Sequence, residues 1–352
     1  MAIEPLSRRT LLRHAALGLG VVACGRALGQ PADRAVYVGI ETQAATELSK
    51  AAFYSETGRL LDRVPLDFRA HGMAAHGSRV VVFPRRPGTR FALIDEATLE
   101  IVGRIDAPEG RHFFGHGAFT ADGRHVIVTE NDLETLQGAL GVYRCEGVPR
   151  RIGQIDLPGP GPHEITRHPE RDLFFIALGG LETHPAYGRT PLNLHDFRSQ
   201  VLSFDFASGR VEPMDVWPGS EGVSLRHLAM DHAGRLYVGG QVADEARGDP
   251  ASVLWLVEDG QEHRIAEGAA LGGYVSSIAA HGSEARATSK ESGAILHLDG
   301  RSAREAGRIE GAGGAALSSR VEAVSGYRIL SLNGETIRPE DGAEFDNHGF
   351  AL

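Results

Sequence analysis

The chain has 352 residues, 42% of them apolar and 23% charged, a composition that excludes disorder and collagen-like structure. Its formal charge of −10 argues against non-specific nucleic-acid binding, and with 7% aromatic residues it has no stacking-rich surface. Only two cysteines occur, Cys24 and Cys145, too few for a disulfide framework or a Cys-rich zinc or iron–sulfur site.

The N-terminus reads as an address. Ser7-Arg8-Arg9-Thr10-Leu11-Leu12-Arg13 is a twin-arginine pattern, and the apolar, small-residue stretch after it is too short to span a bilayer. Residues 1–29 are therefore expected to be a Tat signal peptide, with cleavage near Ala27-Leu28-Gly29, export by the Tat translocase and a periplasmic destination. Val21-Val22-Ala23-Cys24 is also an acceptable lipobox, so a lipid anchor at Cys24 is the alternative to a soluble product.

From residue 33 to 352 the pattern changes to short apolar strands punctuated by turns, with no sustained 3.6-residue period. Val80-Val81-Val82-Phe83, Val126-Ile127-Val128, Leu173 to Ala177 and Leu236-Tyr237-Val238 each follow a turn such as His76-Gly77-Ser78-Arg79 or Ala121-Asp122-Gly123-Arg124. Four strands per unit, at about 46 residues per unit, is the sequence form of a β-propeller. The expected fold is all-β, a single seven-bladed propeller domain, although six or eight blades also fit the length. The unit at 314–337 is the faintest. Phe345 to Leu352 reads as a lone innermost strand, and the segments at 36–38, 51–54 and 59–66 read as three outer strands lacking an inner one. Pairing the two ends would close the ring and remove the free sheet edges.

His71, His116, His163 and His227 stand six or seven residues before the turns of their units, and His348 has the matching place in the C-terminal strand. This puts five imidazoles at the mouths of innermost strands facing one axis. Histidine is the commonest side-chain metal ligand, and a His-rich site suits iron, copper, zinc or nickel. The alternative is structural, a histidine in each blade pinning a turn by hydrogen bonding. Glu164, Arg226, Arg111 and His112 flank the five and are candidates for tuning ligands from behind. Glu130, Asn131, Asp132, Glu182, His184, Asn193 and Asn347 fall between strands on the same side and are candidates for the channel rim, against a turn-forming role for the same residue types. Arg85-Arg86-Pro87 reads as a structural turn with arginine salt bridges.

Other chemistries lack their motifs. There is no C-x-x-C-H for covalent haem, no G-x-S-x-G elbow, no P-loop and no dinucleotide fingerprint, and His163-Glu164-Ile165-Thr166-Arg167-His168 places its second histidine one residue too late for a zincin.

Several linked motifs resemble the Tat-exported bacterial domain-of-unknown-function family 1513. They are Phe83-Pro84-Arg85-Arg86-Pro87-Gly88, Gly110 to Gly117, Thr129-Glu130-Asn131-Asp132, Gly161-Pro162-His163-Glu164, Gly180 to Pro185, Leu192-Asn193-Leu194, Leu225-Arg226-His227-Leu228, Gly273 to Ser277 and Asp346-Asn347-His348. The resemblance implies a periplasmic seven-bladed propeller associated with iron handling and a partner among imelysin-like iron-uptake proteins. It supplies no activity. Three functions follow as expectations. The first is a metal- or haem-binding propeller for iron or copper, with iron, copper or non-covalent haem as the cofactor. The second is an enzyme acting on a small molecule at a metal centre in the channel, and the third a non-catalytic scaffold for an iron-uptake system.

Overall fold

A computed structural model describes residues 34–214 and 221–352, within one compact unit, Arg34–Leu352. The segment expected to be a signal peptide, with the alternative lipobox at Cys24, lies outside the described residues. No helix among the described residues is long and apolar enough to cross a membrane.

Seven four-stranded antiparallel sheets account for the described strands. The strands alternate in burial because one sheet face packs on the next blade. Outermost strands such as Arg150–Asp156 stay half exposed along their length, and second strands such as Arg79–Pro84 are almost entirely buried. The core therefore lies between blades. Phe83 and Phe91 of one blade meet Phe113 and Tyr143 of the next, with Phe91 centred 5.1 Å from both of these rings.

Blade 1 closes the ring. The C-terminal strand Ala343–Ala351 is its inner strand and pairs with Tyr37–Gln43, which continues to Ser49–Tyr54 and Leu60–Pro65. The inner strands of blades 2 to 7 are Ala70–His76, Arg111–Phe119, Pro162–Arg167, Val223–Met230, Ser277–His281 and Gly314–Leu317. Each touches its two neighbours, and Gly314–Leu317 and Ala70–His76 both touch the C-terminal strand, so the seven surround a central axis. The seven-blade count and the terminal closure are as the repeat predicts, including the faint blade 7 (Gly314–Leu317, Glu322–Ser325, Leu330–Leu332, Glu335–Ile337).

One irregularity positions the site. In five blades the ladder between the inner and second strands slips, between Ala70 and Met73, Phe113 and Gly117, Pro162 and Ile165, Leu225 and His227, and in blade 1 between Phe345 and Gly349. The stretches released from the ladder contain His71, His116, His163, Arg226 and His348, and His227 is the first residue to re-pair. Blades 6 and 7 pair in unbroken register, and neither brings a histidine to this level. A bulge re-aims a side chain that regular alternation would send into a sheet face.

Candidate metal centre

The five histidines converge. Ring centroids are 5.0 Å apart for His71–His116, 5.1 Å for His116–His163, 4.9 Å for His163–His227, 5.1 Å for His227–His348 and 4.7 Å for His348–His71, a closed circuit around the axis. His116 also lies 5.0 Å from His348 across the circuit. Two trios bring one ring nitrogen from each member within 4.8 Å of the others: His71, His116 and His348, and His116, His163 and His227. His116 belongs to both.

All five rings are buried. One nitrogen on each is enclosed and has no hydrogen-bond partner: Nδ1 of His71 and His163, and Nε2 of His116, His227 and His348. Two acids stand behind the rings. Glu164 accepts a hydrogen bond from His227 Nδ1 at 2.7 Å and lies 3.4 Å from His116 Nδ1. Asp346 is 3.8 Å from His71 Nδ1, an ion-pair rather than a hydrogen-bond separation, and lies 3.7–3.8 Å from Arg69 and Arg85. The side-chain partners of His71, His116 and His227 are thus carboxylates.

Burial sets the protonation state. It pushes His71 down to about 3 and, with the neighbouring imidazoles, holds His163 and His348 well below the ordinary histidine range; His227 is lowered by the same cause. Burial pushes Glu164 and Asp346 upward, but their histidine neighbours outweigh it, leaving Glu164 well below the usual carboxylate range and Asp346 at about 2. At neutral pH His71, His163, His227 and His348 therefore offer neutral imidazole lone pairs, with Glu164 and Asp346 as anions beside the ring, the state a divalent metal needs.

The ring separates two cavities. On the strand-exit side, about 320 Å³ is lined by all seven inner strands, largely by small residues such as Ala74, Ala118, Ala229, Ala279 and Ala315. On the mouth side, about 290 Å³ is lined by His71 and His163 at its floor, with Arg85, Arg86, Arg189, Arg226 and Lys290 around it. Arg226 and Asn347 both line this basin, so with Glu164 three of the expected flanking residues are at the site. Burial lowers Arg226, and burial together with Arg226 and Arg189 lowers Arg86 to about 9.

The other flanking residues lie elsewhere. Glu130 is buried inside blade 3, accepting from Tyr143 Oη at 2.6 Å and Arg151 Nη2 at 2.8 Å, with Arg111 at 3.7 Å. Asp132 accepts from the backbone of Glu134 and Thr135, a turn role, and Asn131 donates weakly to the Asp132 carbonyl. Asn193 clamps its loop, donating to the Gly180 carbonyl and accepting from Glu182 N–H. His184 caps the short 3₁₀ turn Pro185–Tyr187 through the Ala186 N–H. His112 Nδ1 lies 3.0 Å from its neighbour's carbonyl, and its ring stacks on Phe114. Asp346 and the basin residues Arg189, Tyr274 and Lys290 were not among the expected site residues. Asp346 lies on the C-terminal strand and the other three on separate loops with no shared spacing, and only the five-histidine register and the Asp346-Asn347-His348 run pointed near them. Arg85-Arg86 divides: Arg85 has the expected acidic partner in Asp346, but Arg86 has none and lies over the Phe114 ring at 4.8 Å.

Solved structures share the fold. One titled Kuenenia stuttgartiensis hydrazine synthase aligns at a TM-score of 0.62 and 14% identity, covering 89% of this chain and 98% of that one. One titled nidogen/laminin complex aligns at 0.54 and 11% identity, covering 90% and 98%. At such identities the likeness is one of fold alone. No curated protein matches the chain. The family described as Protein of unknown function (DUF1513) matches residues 64–352, which span blades 2 to 7, the closing strand and all five axial histidines, and the chain belongs to that family.

Proposed function

We propose that the axial ring is a transition-metal site and that the protein is a periplasmic metal-binding propeller serving iron or copper handling. The observation that supports this most directly is that five buried histidines, each with one enclosed ring nitrogen lacking a hydrogen-bond partner, lie ring to ring and form two trios with ring nitrogens within 4.8 Å of one another. Buried polar atoms are ordinarily satisfied, and five orphans in one place are costly unless something accepts their lone pairs. An all-imidazole donor set suits iron, copper, zinc or nickel and is a poor match for calcium or magnesium. Rings in mutual contact at about 5 Å favour a bare ion over haem, because a macrocycle would have to part them. The imelysin-like partner implied by the family resemblance belongs to the same proposal.

Glu164 and Asp346 have a definite role in this reading. Glu164 fixes the tautomer of His227 by accepting from Nδ1, which leaves Nε2 as the free donor atom. His116, common to both trios, is the residue whose loss disables either arrangement.

Elemental analysis and a visible spectrum of protein exported by its native route test the proposal. About one equivalent of metal is expected in the wild type, and none in His116→Ala/His227→Ala. His71→Ala, which spares the trio of His116, His163 and His227, is expected to retain metal at reduced affinity. A wild-type protein that neither contains nor takes up iron, copper, zinc or nickel would overturn the reading.

A further inference from the structure

The mouth-side basin has a charge pattern that the metal reading does not use. Its cations come from four blades: Arg85 and Arg86 follow the second strand of blade 2, Arg189 sits in the long loop of blade 4, Arg226 lies on the inner strand of blade 5, and Lys290 follows the second strand of blade 6. No Asp or Glu lines the cavity. The remaining polar lining, Thr183, Gln241 and Asn347, is neutral.

Most of these cations are not neutralised by the protein. Arg226 is only 8% exposed, its Nε is enclosed without a partner, and no described carboxylate pairs with it. Arg86 donates only to the Thr183 hydroxyl, at 3.3 Å, and otherwise lies against Phe114. Lys290 Nζ sits 5.3 Å from the centre of the Tyr274 ring, an aromatic and not an ionic neighbour. Arg85 has Asp346 at 3.8 Å, which it shares with Arg69 and His71, and Lys290 feels the charges of Glu291 and Asp346 without forming an ion pair with either. Gathering like charges in a half-enclosed cavity is unfavourable without a counter-charge, and guanidinium forks are the side chains best matched to planar carboxylates.

We propose that this basin binds a small polycarboxylate, with two or three carboxylates spread around its periphery, directly above the histidine ring. The distribution of the cations is the reason for that class. They surround the cavity instead of meeting at one point, so a ligand with its charges set apart satisfies more of them than a compact single anion. The aromatic faces of Phe114 and Tyr274 and the neutral donors of Gln241 and Asn347 accommodate the uncharged middle of such a molecule. The inference goes beyond the metal reading and stands without it. Because His71 and His163 form the basin floor, the two sites would adjoin if both are real.

Tricarballylate, a tricarboxylate that chelates metals weakly, is the probe. It is titrated calorimetrically into the full chain after metal removal by dialysis against neutral 1,10-phenanthroline. Binding is expected with a raised melting temperature, weakening as salt rises, and absent for the trimethyl ester. Arg86→Gln and Arg226→Gln are each expected to weaken it by about tenfold or more. Arg189→Gln, in an exposed loop where folding is not at stake, is expected to weaken it by about half as much on a logarithmic scale. No binding of tricarballylate, equal binding of its ester, tighter binding of pyrophosphate, or wild-type affinity in both Arg86→Gln and Arg189→Gln would each overturn the proposal. Failure of the two readings is separable. A chain that takes up metal but not tricarballylate overturns only the basin, and one that binds tricarballylate but no metal overturns only the ring.

Discussion

Glu41 and Glu130 occupy the same station in blades 1 and 3. Each is a buried carboxylate on a second strand, bonded to a tyrosine hydroxyl on the third strand (Tyr54 at 2.8 Å, Tyr143 at 2.6 Å) and to an arginine on the fourth (Arg63 at 2.7 Å, Arg151 at 2.8 Å). They tie three strands of a blade together, far from solvent. Glu164 looks equivalent in sequence, an acid beside a motif residue, but its partners are imidazoles of the ring. The two roles predict opposite phenotypes. Tyr143→Phe is expected to lower unfolding stability by about 1–3 kcal/mol, since it strips a donor from a buried carboxylate, and to leave metal stoichiometry alone. Glu164→Gln is expected to cost little stability and to weaken metal binding by about 10–100-fold, measured by competition with a chromogenic chelator. Sequence reading placed Glu130 on the rim because it follows Val126-Ile127-Val128 and so reads as falling between strands, whereas it lies within the strand His125–Asp132. Only the pairing of strand to strand places Tyr143 and Arg151 around Glu130 and histidines around Glu164.

At the scale of the strand, the bulge decides what a histidine does. The recurrence of His71, His116, His163, His227 and His348 at one point in the repeat was legible, because blades repeat and the inner strand begins at a fixed distance before a turn. The slipped register that turns them toward the axis was not, since no residue type announces it. Gly115 is the nearest thing to a mark. It adopts φ +113 inside the blade 3 slip, and a Cβ there would lie 2.7 Å from His71 Cδ2. Both the backbone strain and the displaced ring penalise a side chain. Gly115→Ala is expected to lower stability by about 1–3 kcal/mol and to reduce metal affinity with it, read by thermal unfolding and metal competition. A variant with wild-type affinity would show that His71 is not held against Gly115 in solution. The basin cations were still less visible, because Arg86, Arg189 and Lys290 come from three loops and Arg226 from an inner strand, and these share no spacing.

For the whole molecule, blade count and closure were readable from both ends of the chain. A long run of three outer strands without an inner one, and a solitary final strand, have only one economical solution in a ring whose edges must be covered. Removing residues 343–352 is expected to abolish cooperative thermal unfolding, because it exposes the edge of Tyr37–Gln43 and opens the contacts to blades 2 and 7. Circular dichroism melting checks this; a truncated chain that melts as sharply as the full one would contradict the closure.

The strand that fastens the ring also brings His348 and Asp346 to the axis. The circuit of histidines is thus incomplete until Ala343–Ala351 has docked against Tyr37–Gln43. A chain cut before Ala343 loses His348, and with it the trio of His71, His116 and His348, together with the latch, while His116, His163 and His227 remain. A complete ring of five imidazoles is accordingly a mark of closure: it forms only where Ala343–Ala351 has met Tyr37–Gln43.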